Sequence, residues 1–238
     1  METQSSTWMR MLDVAFRLPG TQVKRDEFLM TAFAPFGTAE QSAALAYKRP
    51  IDVYTKKIVD IVAEDVIKKH TSDMTISSAV VESFLPLICS IIPMQMDTAK
   101  NFCRMVVVAQ KLAYIYGLPN LLNENGEFKD DAKDIITLLM GVAYDVDGAR
   151  DALQEVAAIA KMYWQLVLFN MPSMATDLEP IIPKMGEQLC SKMIQDTLVK
   201  GMLIFRASAR RKLFNSRANR LKDALALTLS TPDNTTGE

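Results

Sequence analysis

The sequence is short of the residues that usually carry enzyme chemistry and metal binding. Its 238 residues include one histidine, His70, and three cysteines that lie far apart. It has no Gly-rich loop before Gly-Lys-Ser/Thr and no Gly-x-Ser-x-Gly, His-Glu-x-x-His or Cys-x-x-Cys motif. Aspartates at 130–134 and 145–147 lack the glutamate that closes a calcium loop, and three cysteines with one histidine do not make a zinc site. We therefore predict no metal and no cofactor, and a conventional enzyme is disfavoured.

A secretion signal and a long apolar segment are also lacking. Charged residues interrupt the N-terminal region, so no signal peptide is evident. The longest apolar stretch, residues 83–94, is shorter than the roughly 20 residues that a membrane-spanning helix needs. An odd number of cysteines in apolar runs is typical of reduced thiols in a core: Cys89, Cys103 and Cys190. The sequence predicts a cytoplasmic protein and leaves open whether the apolar segment 77–96 inserts into a bilayer.

The composition that remains favours helices. Only 9 glycines and 10 prolines accompany 15 methionines, and 49% of the residues are hydrophobic. We predict an all-α protein: a single helical domain, residues 1–229, of about seven to nine helices around a buried central helix. A disordered tail, residues 230–238, follows. The predicted helices span residues 8–18, 25–34, 40–47, 51–70, 97–116, 130–144, 148–169 and 184–229, the last with a break near Gly201 or Asn215.

The predicted central helix, residues 97–116, is apolar on nearly every side, which requires burial. Asp97 is interpreted as its N-cap. Gly117 is expected just beyond its end, where a left-handed conformation suits glycine. Its cations share one narrow stripe, at spacings of about one and two helical turns: Lys100, Arg104 and Lys111.

His70 ends the preceding predicted helix, beside Lys68 and Lys69. A cation at this end interacts favourably with the helix dipole. We therefore interpret His70 as a capping residue that holds its proton more tightly in the folded protein, and not as a general base.

One segment of the chain is strongly basic. The stretch 197–222 has eight basic residues and no acid, whereas the rest has 19 basic and 28 acidic residues, from totals of 27 and 28. Interleaved with apolar residues, this composition suits a helix lying on an anionic bilayer. Nucleic acid is disfavoured, because no recognition motif accompanies the charges. The alternative is that the cations pair with acids elsewhere in the chain. The candidate binding residues are Lys200, Arg206, Arg210, Arg211, Lys212, Arg217, Arg220 and Lys222.

In the order and spacing of several strings, the sequence resembles the EcsC family of bacterial proteins. The strings lie between residues 16 and 225: Leu18–Leu29, Val66–Thr71, Asp97 with Gln110–Gly117, Ile136–Gly141, Glu179–Met185 with Ser191–Met193, and Ala218–Leu225. The resemblance implies a helical protein without established catalytic residues, and an ABC transporter as a possible partner, since the founding member is encoded beside one. Family members often carry Gly-rich apolar hairpins. Here segment 80–93 has no glycine and segment 200–214 is charged, which weakens the case for bilayer insertion.

Together these features predict a non-enzymatic protein that docks on an anionic membrane surface, or on a membrane protein, at the inner face of the membrane. The alternative is a soluble helical protein that binds an apolar ligand or lipid in an internal cavity. Residues suited to line such a cavity are Met162, Tyr163, Trp164 and Phe169.

Overall fold

The computed structural model describes residues 4–72, 86–91, 96–166, 178–202 and 207–229. Over these ranges it contains helices, one isolated β-bridge and no strand, so the all-α prediction is confirmed. Eight of the helices have nine residues or more, and shorter ones bring the described total above the seven to nine that the sequence predicts. The elements are α1 (Gln4–Arg17), α2 (Arg25–Phe33), a 3-10 helix (Ala34–Phe36), α3 (Ala39–Ala44), α4 (Pro50–Val53), α5 (Lys56–Ser72), α6 (residues 86–91), α7 (Met96–Ile115), α8 (Ala132–Ala143), α9 (Ala149–Leu166), α10 (Ile182–Met202) and α11 (Ala207–Leu229).

Helix α7 is the buried central helix, as predicted. Helices α2, α5, α8 and α11 pack around it, and fifteen of its 20 residues are buried. Gln110 is fully buried with its side-chain amide satisfied: it donates to the carbonyls of Thr21 (2.7 Å) and Val106 (3.1 Å) and accepts from the Val23 amide (3.1 Å). A buried amide is tolerated when its hydrogen bonds are made, so Gln110 holds the α1–α2 connection against the core.

Helix α7 also ends where the sequence predicts. Gly117 has φ +104°, and the Leu118 amide donates to the Ala113 carbonyl (2.8 Å) while the Gly117 amide donates to Tyr114 (3.1 Å). These paired bonds are those of a Schellman motif, in which glycine adopts the left-handed conformation at low cost. The predicted role of Gly117 is confirmed.

A second group of helices packs beside α7. Helix α8 contacts α9, α10 and α11, and α1 lies along α10. Fully buried Trp8 donates from Nε1 to Thr137 Oγ1 (2.8 Å). A methyl group at Gly186 would lie 3.1 Å from Trp8 Cδ1. Because glycine has no side chain, α1 and α10 can approach closely at this point.

Two predicted helices are each divided in the structure. The helix expected at 51–70 is interrupted at Tyr54, whose backbone is extended and whose ring stacks on Phe33 with centroids 4.8 Å apart. The helix is therefore interrupted at the point where Tyr54 stacks on Phe33. The expected 184–229 helix is present as α10 and α11, which end and begin near Gly201, whereas Asn215 lies inside α11.

Other predictions fall on parts of the chain outside the described residues. These include the tail 230–238 and most of the apolar segment 77–96, of which residues 86–91 and Met96 are described as helical. Within the described ranges, none of the helices combines the length and apolarity needed to cross a bilayer.

Candidate functional site

The predicted basic residues lie mainly on α11. Of the eight, Arg206 lies outside the described residues, and the side chain of Lys200 is not described. The other six occur along this one helix: Arg210, Arg211, Lys212, Arg217, Arg220 and Lys222.

Two of these cations pair with acids far away in the sequence. Arg210 forms an ion pair with Asp97 in the first turn of α7. The Lys222 ammonium lies 3.3 Å from the carboxylate of Glu64 on α5. Asp97 is therefore not the N-cap that the sequence suggests, because α7 begins one residue earlier and the carboxylate faces an arginine.

Two further cations of α11 also pair with acids of the same chain. Arg217 pairs with Asp196 of α10, and its guanidinium lies 3.8 Å from the centre of the Tyr144 ring. Arg220 lies 3.8 Å from Asp145 and donates to a main-chain carbonyl at the end of α8 (2.9 Å). For these four cations the structure supports the alternative of pairing with the acidic remainder of the chain.

Arg211 and Lys212 differ from their neighbours. Both side chains are exposed, and within the described part of the chain neither forms an ion pair. Among the six predicted cations whose side chains are described, these two remain available to a partner.

Beside Arg210 and Arg211, a cleft of about 100 Å³ opens between α5, α7 and α11. We call it the basic cleft. Among its described lining residues, four are cationic and one is a carboxylate. Its charged and titratable lining consists of His70, Asp97, Lys100, Arg104, Arg210 and Arg211.

The cations of the cleft are partly removed from water. Arg104 is only 6% exposed. Arg210 is 28% exposed, and its Nε atom is buried without a hydrogen-bond partner in the described structure.

His70 lies in the last turn of α5, at the edge of the cleft, and the prediction that the folded protein holds its proton more tightly is wrong. Its Nε2 atom is 2.9 Å from the Lys111 ammonium. Because an ammonium group only donates, Nε2 accepts this bond and the proton of the neutral ring lies on Nδ1. Burial, with added repulsion from Lys111 and Arg104, lowers the pKa of His70 from 6.5 to about 4. The folded protein thus holds the His70 proton more weakly, since desolvation and two cations outweigh the helix dipole.

The hydroxyl nearest to His70 is engaged. Thr71 donates from Oγ1 to the Ile67 carbonyl (2.6 Å) and also contacts Asn215. The Thr71 hydroxyl therefore donates its proton to a main-chain carbonyl and not to His70.

On the other side of His70, an apolar groove of about 640 Å³ runs between α2, the 3-10 helix and α5. Phe28, Phe36 and Val66 contribute to its walls, and Lys111 lies at one end. This location differs from the cavity suggested by the sequence. Met162 is 54% exposed, and Trp164 donates to the Gly117 carbonyl (2.6 Å) instead of lining a cavity. Phe169 lies outside the described residues.

Arg25 is a buried cation that the sequence analysis passes over. It is 2% exposed, its guanidinium lies 4.7 Å from the Trp164 ring centre, and it pairs with Asp26 (3.1 Å). The pattern of α2 gives no signal for this role, because the acceptors are main-chain carbonyls 20 to 93 residues away. These carbonyls are those of Leu45 (2.7 Å), Lys48 (3.0 Å) and Leu118 (3.3 Å).

The remaining sequence candidates show no metal-binding arrangement. Cys103 and Cys190 are buried, Cys89 is partly buried, and all three are free thiols. Within the described ranges, no group of three histidine, cysteine, aspartate or glutamate residues is placed to hold a metal ion.

Comparison with known proteins finds no matching family model, no matching curated protein and no matching solved structure. The resemblance to the EcsC family therefore stays a prediction.

Proposed function

We propose that this chain is a non-enzymatic, EcsC-like protein that docks on an anionic membrane surface through the exposed cations of α11. Exposed Arg211 and Lys212, next to a cleft rich in cations, are the observation that carries the proposal. Docking occurs at the cytoplasmic face of the membrane. A membrane protein such as an ABC transporter, which the family resemblance implies, would meet the same surface.

The expected attraction is modest and electrostatic. Each lysine or arginine near an anionic bilayer contributes about 1 kcal/mol, and the effect falls off within a Debye length. Arg217, Arg220 and Lys222 contribute less, because acids of the same chain already oppose them.

Vesicle sedimentation tests this surface. The double variant Arg211→Glu with Lys212→Glu should lower the affinity for anionic vesicles at least about tenfold. The matched control is Lys48→Glu with Lys57→Glu, which makes the same change in net charge at exposed positions off α11. Arg210 is left unchanged, because a glutamate there would face Asp97.

For the unaltered protein, binding should weaken as salt rises and should be absent with neutral vesicles. Equal binding to neutral and anionic vesicles, or equal loss in both double variants, would contradict docking through α11.

A second candidate function is binding of an acyl chain in the apolar groove. The groove volume of about 640 Å³ falls within the roughly 300–1,000 Å³ of ordinary ligand pockets. Lys111 in its lining suits a carboxylate head, whereas Lys69 already pairs with Asp65 (2.8 Å). Lipid that copurifies with the protein, and that is lost when Ala32→Trp fills the groove, would favour this candidate over docking.

A further inference from the structure

We propose that the apolar groove between α2, the 3-10 helix and α5 binds a single-chain fatty acid, with the ionised carboxylate at Lys111. This inference rests on the second candidate function, ligand binding in the groove, and does not depend on membrane docking. It defines the ligand class as one unesterified acyl chain that carries one negative charge.

The balance of charge in the groove is the first reason. Three of its described lining residues are charged: Asp65, Lys69 and Lys111. The Asp65 carboxylate lies 2.8 Å from the Lys69 ammonium, so these two charges offset each other. Within the described lining, Lys111 is then the charge without an ion-pair partner, which is a formal excess of one positive charge.

Neutral groups contact the Lys111 ammonium in the described structure. It donates to His70 Nε2 (2.9 Å) and lies 5.5 Å from the centre of the Phe28 ring. Burial, with added repulsion from Lys69, lowers the pKa of Lys111, as expected of a charge that water solvates poorly. An ammonium group has three protons to donate. A carboxylate can accept one of them in a charge-assisted hydrogen bond and also supply the negative charge that the contacting groups lack.

The walls of the groove are the second reason, because they suit an alkyl chain. The Thr31 hydroxyl in this lining is already engaged, since it donates to the Glu27 carbonyl (2.8 Å). A sugar or a nucleotide would lose hydrogen bonds to water along such walls, whereas an alkyl chain has none to lose. The apolar lining residues are Phe28, Ala32, Pro35, Phe36, Val62 and Val66.

The size of the groove is the third reason. Its volume is about 640 Å³. A water molecule takes up about 30 Å³ in the liquid, and a methylene group is similar in size, so the groove holds roughly 20 non-hydrogen atoms. One acyl chain of up to about 18 carbons with its carboxylate has this size. A diacyl phospholipid has more than twice as many atoms and does not fit.

The chain contains its own probe for the test. His70 is the only histidine, lines the groove and accepts a hydrogen bond from Lys111, so its imidazole NMR signals report on this end of the groove without ambiguity. Delipidated protein is titrated near pH 7, where a carboxylic acid is ionised. Decanoate and decanol are the probes, because they have chains of equal length and both dissolve as monomers. Sodium acetate supplies the carboxylate without the chain.

Decanoate should shift the His70 signals saturably, with a Kd at least about tenfold below that of decanol. Equal Kd values for the two would overturn the fatty-acid proposal and leave the second candidate function standing, because an apolar chain would then suffice. Saturation by neither would overturn both. An equally tight, saturable response to acetate would also overturn the proposal, because the chain would then contribute nothing. None of these comparisons requires a variant to fold.

Two lysines give matched variants. Lys111→Met keeps an apolar side chain of similar length and removes the charge. It should raise the Kd for decanoate about tenfold and leave that for decanol within about twofold, which also shows that the groove is intact. Lys68→Met makes the same change in net charge at an exposed position of α5 outside the described lining, and it should leave both Kd values within about twofold. An equal rise for decanoate in both variants would overturn the proposal, because it would indicate diffuse attraction and not a defined head-group site.

Discussion

Arg25 and the basic cleft show two ways in which this fold buries positive charge. Around Arg25, three main-chain carbonyls, Asp26 and the face of Trp164 surround the guanidinium. In the cleft, Arg104 is nearly as buried, but it borders an open space of about 100 Å³ together with three other cations.

The difference lies in what satisfies the charge. Main-chain carbonyls that the fold holds in place accept hydrogen bonds from Arg25. This side chain therefore connects α2 with the end of α7 and with the α3–α4 connection. The cleft has one carboxylate for four cations among its described lining residues. A closed environment of this kind stabilises the fold, whereas the charged side chains of the cleft border open space.

The largest effect is expected at Arg25. Arg25→Met keeps the apolar stem but removes the donors from three carbonyls, and each buried acceptor left alone costs about 1–3 kcal/mol. The free energy of unfolding should fall by at least about 3 kcal/mol in urea denaturation. Exposed Arg17→Met is the control and should change stability by less than about 0.5 kcal/mol. A similarly small change for Arg25→Met would show that the closed environment does not stabilise the fold.

An intermediate effect is expected from acid at His70. The pKa is 6.5 in the unfolded chain and about 4 in the folded protein, so the unfolded state binds more protons in this window. Stability from neutral His70 is complete above about pH 6.5 and is lost as pH falls towards 4, by up to about 3 kcal/mol.

His70→Gln isolates this contribution from that of the carboxylates. A glutamine oxygen can still accept from Lys111 but does not titrate in this range. The variant should lose less stability than the unaltered protein between pH 7 and pH 4, as measured by urea denaturation at each pH. Identical pH dependence in the two proteins would mean that the cations beside the cleft do not act on His70.

The smallest effect is expected at the rim of α11. Lys222 pairs with Glu64 at 3.3 Å; Lys222 is 16% exposed and Glu64 is 65% exposed. Because water screens the exposed carboxylate of the pair, Lys222→Gln should lower the free energy of unfolding by less than about 1 kcal/mol, and less still at high salt. A loss of more than about 2 kcal/mol would contradict this prediction and would show that Lys222, like Arg25, stabilises the fold.

Part of the fold follows directly from the sequence. The apolar run of α7 predicts its burial, and Gly117 with the following proline predicts where it ends, because helical periodicity and glycine conformation are local properties. At Tyr54 the apolar periodicity of the sequence continues, but the helix is interrupted. The cause is not local, because the Tyr54 ring packs against Phe33 of α2.

The candidate site follows from the sequence only in part. The run of cations on α11 is visible in the sequence, but their partners are not. Arg210 meets Asp97 across 113 residues, and His70 meets Lys111 across 41. Contacts between residues so far apart leave no periodic pattern in the sequence. The segment 197–222 contains no acid, so its charges look unopposed in the sequence, whereas in the structure most of its described cations are paired.

By itself, the sequence determined which segments are helical, which helix is buried and which end of the chain is basic, since these depend on near neighbours and on composition. Only the tertiary structure decided which cations are neutralised, where the basic cleft and the apolar groove lie, and in which direction the pKa of His70 moves. Those properties depend on distances between residues remote in the chain and on exclusion of water, and both arise when α5, α7 and α11 pack together.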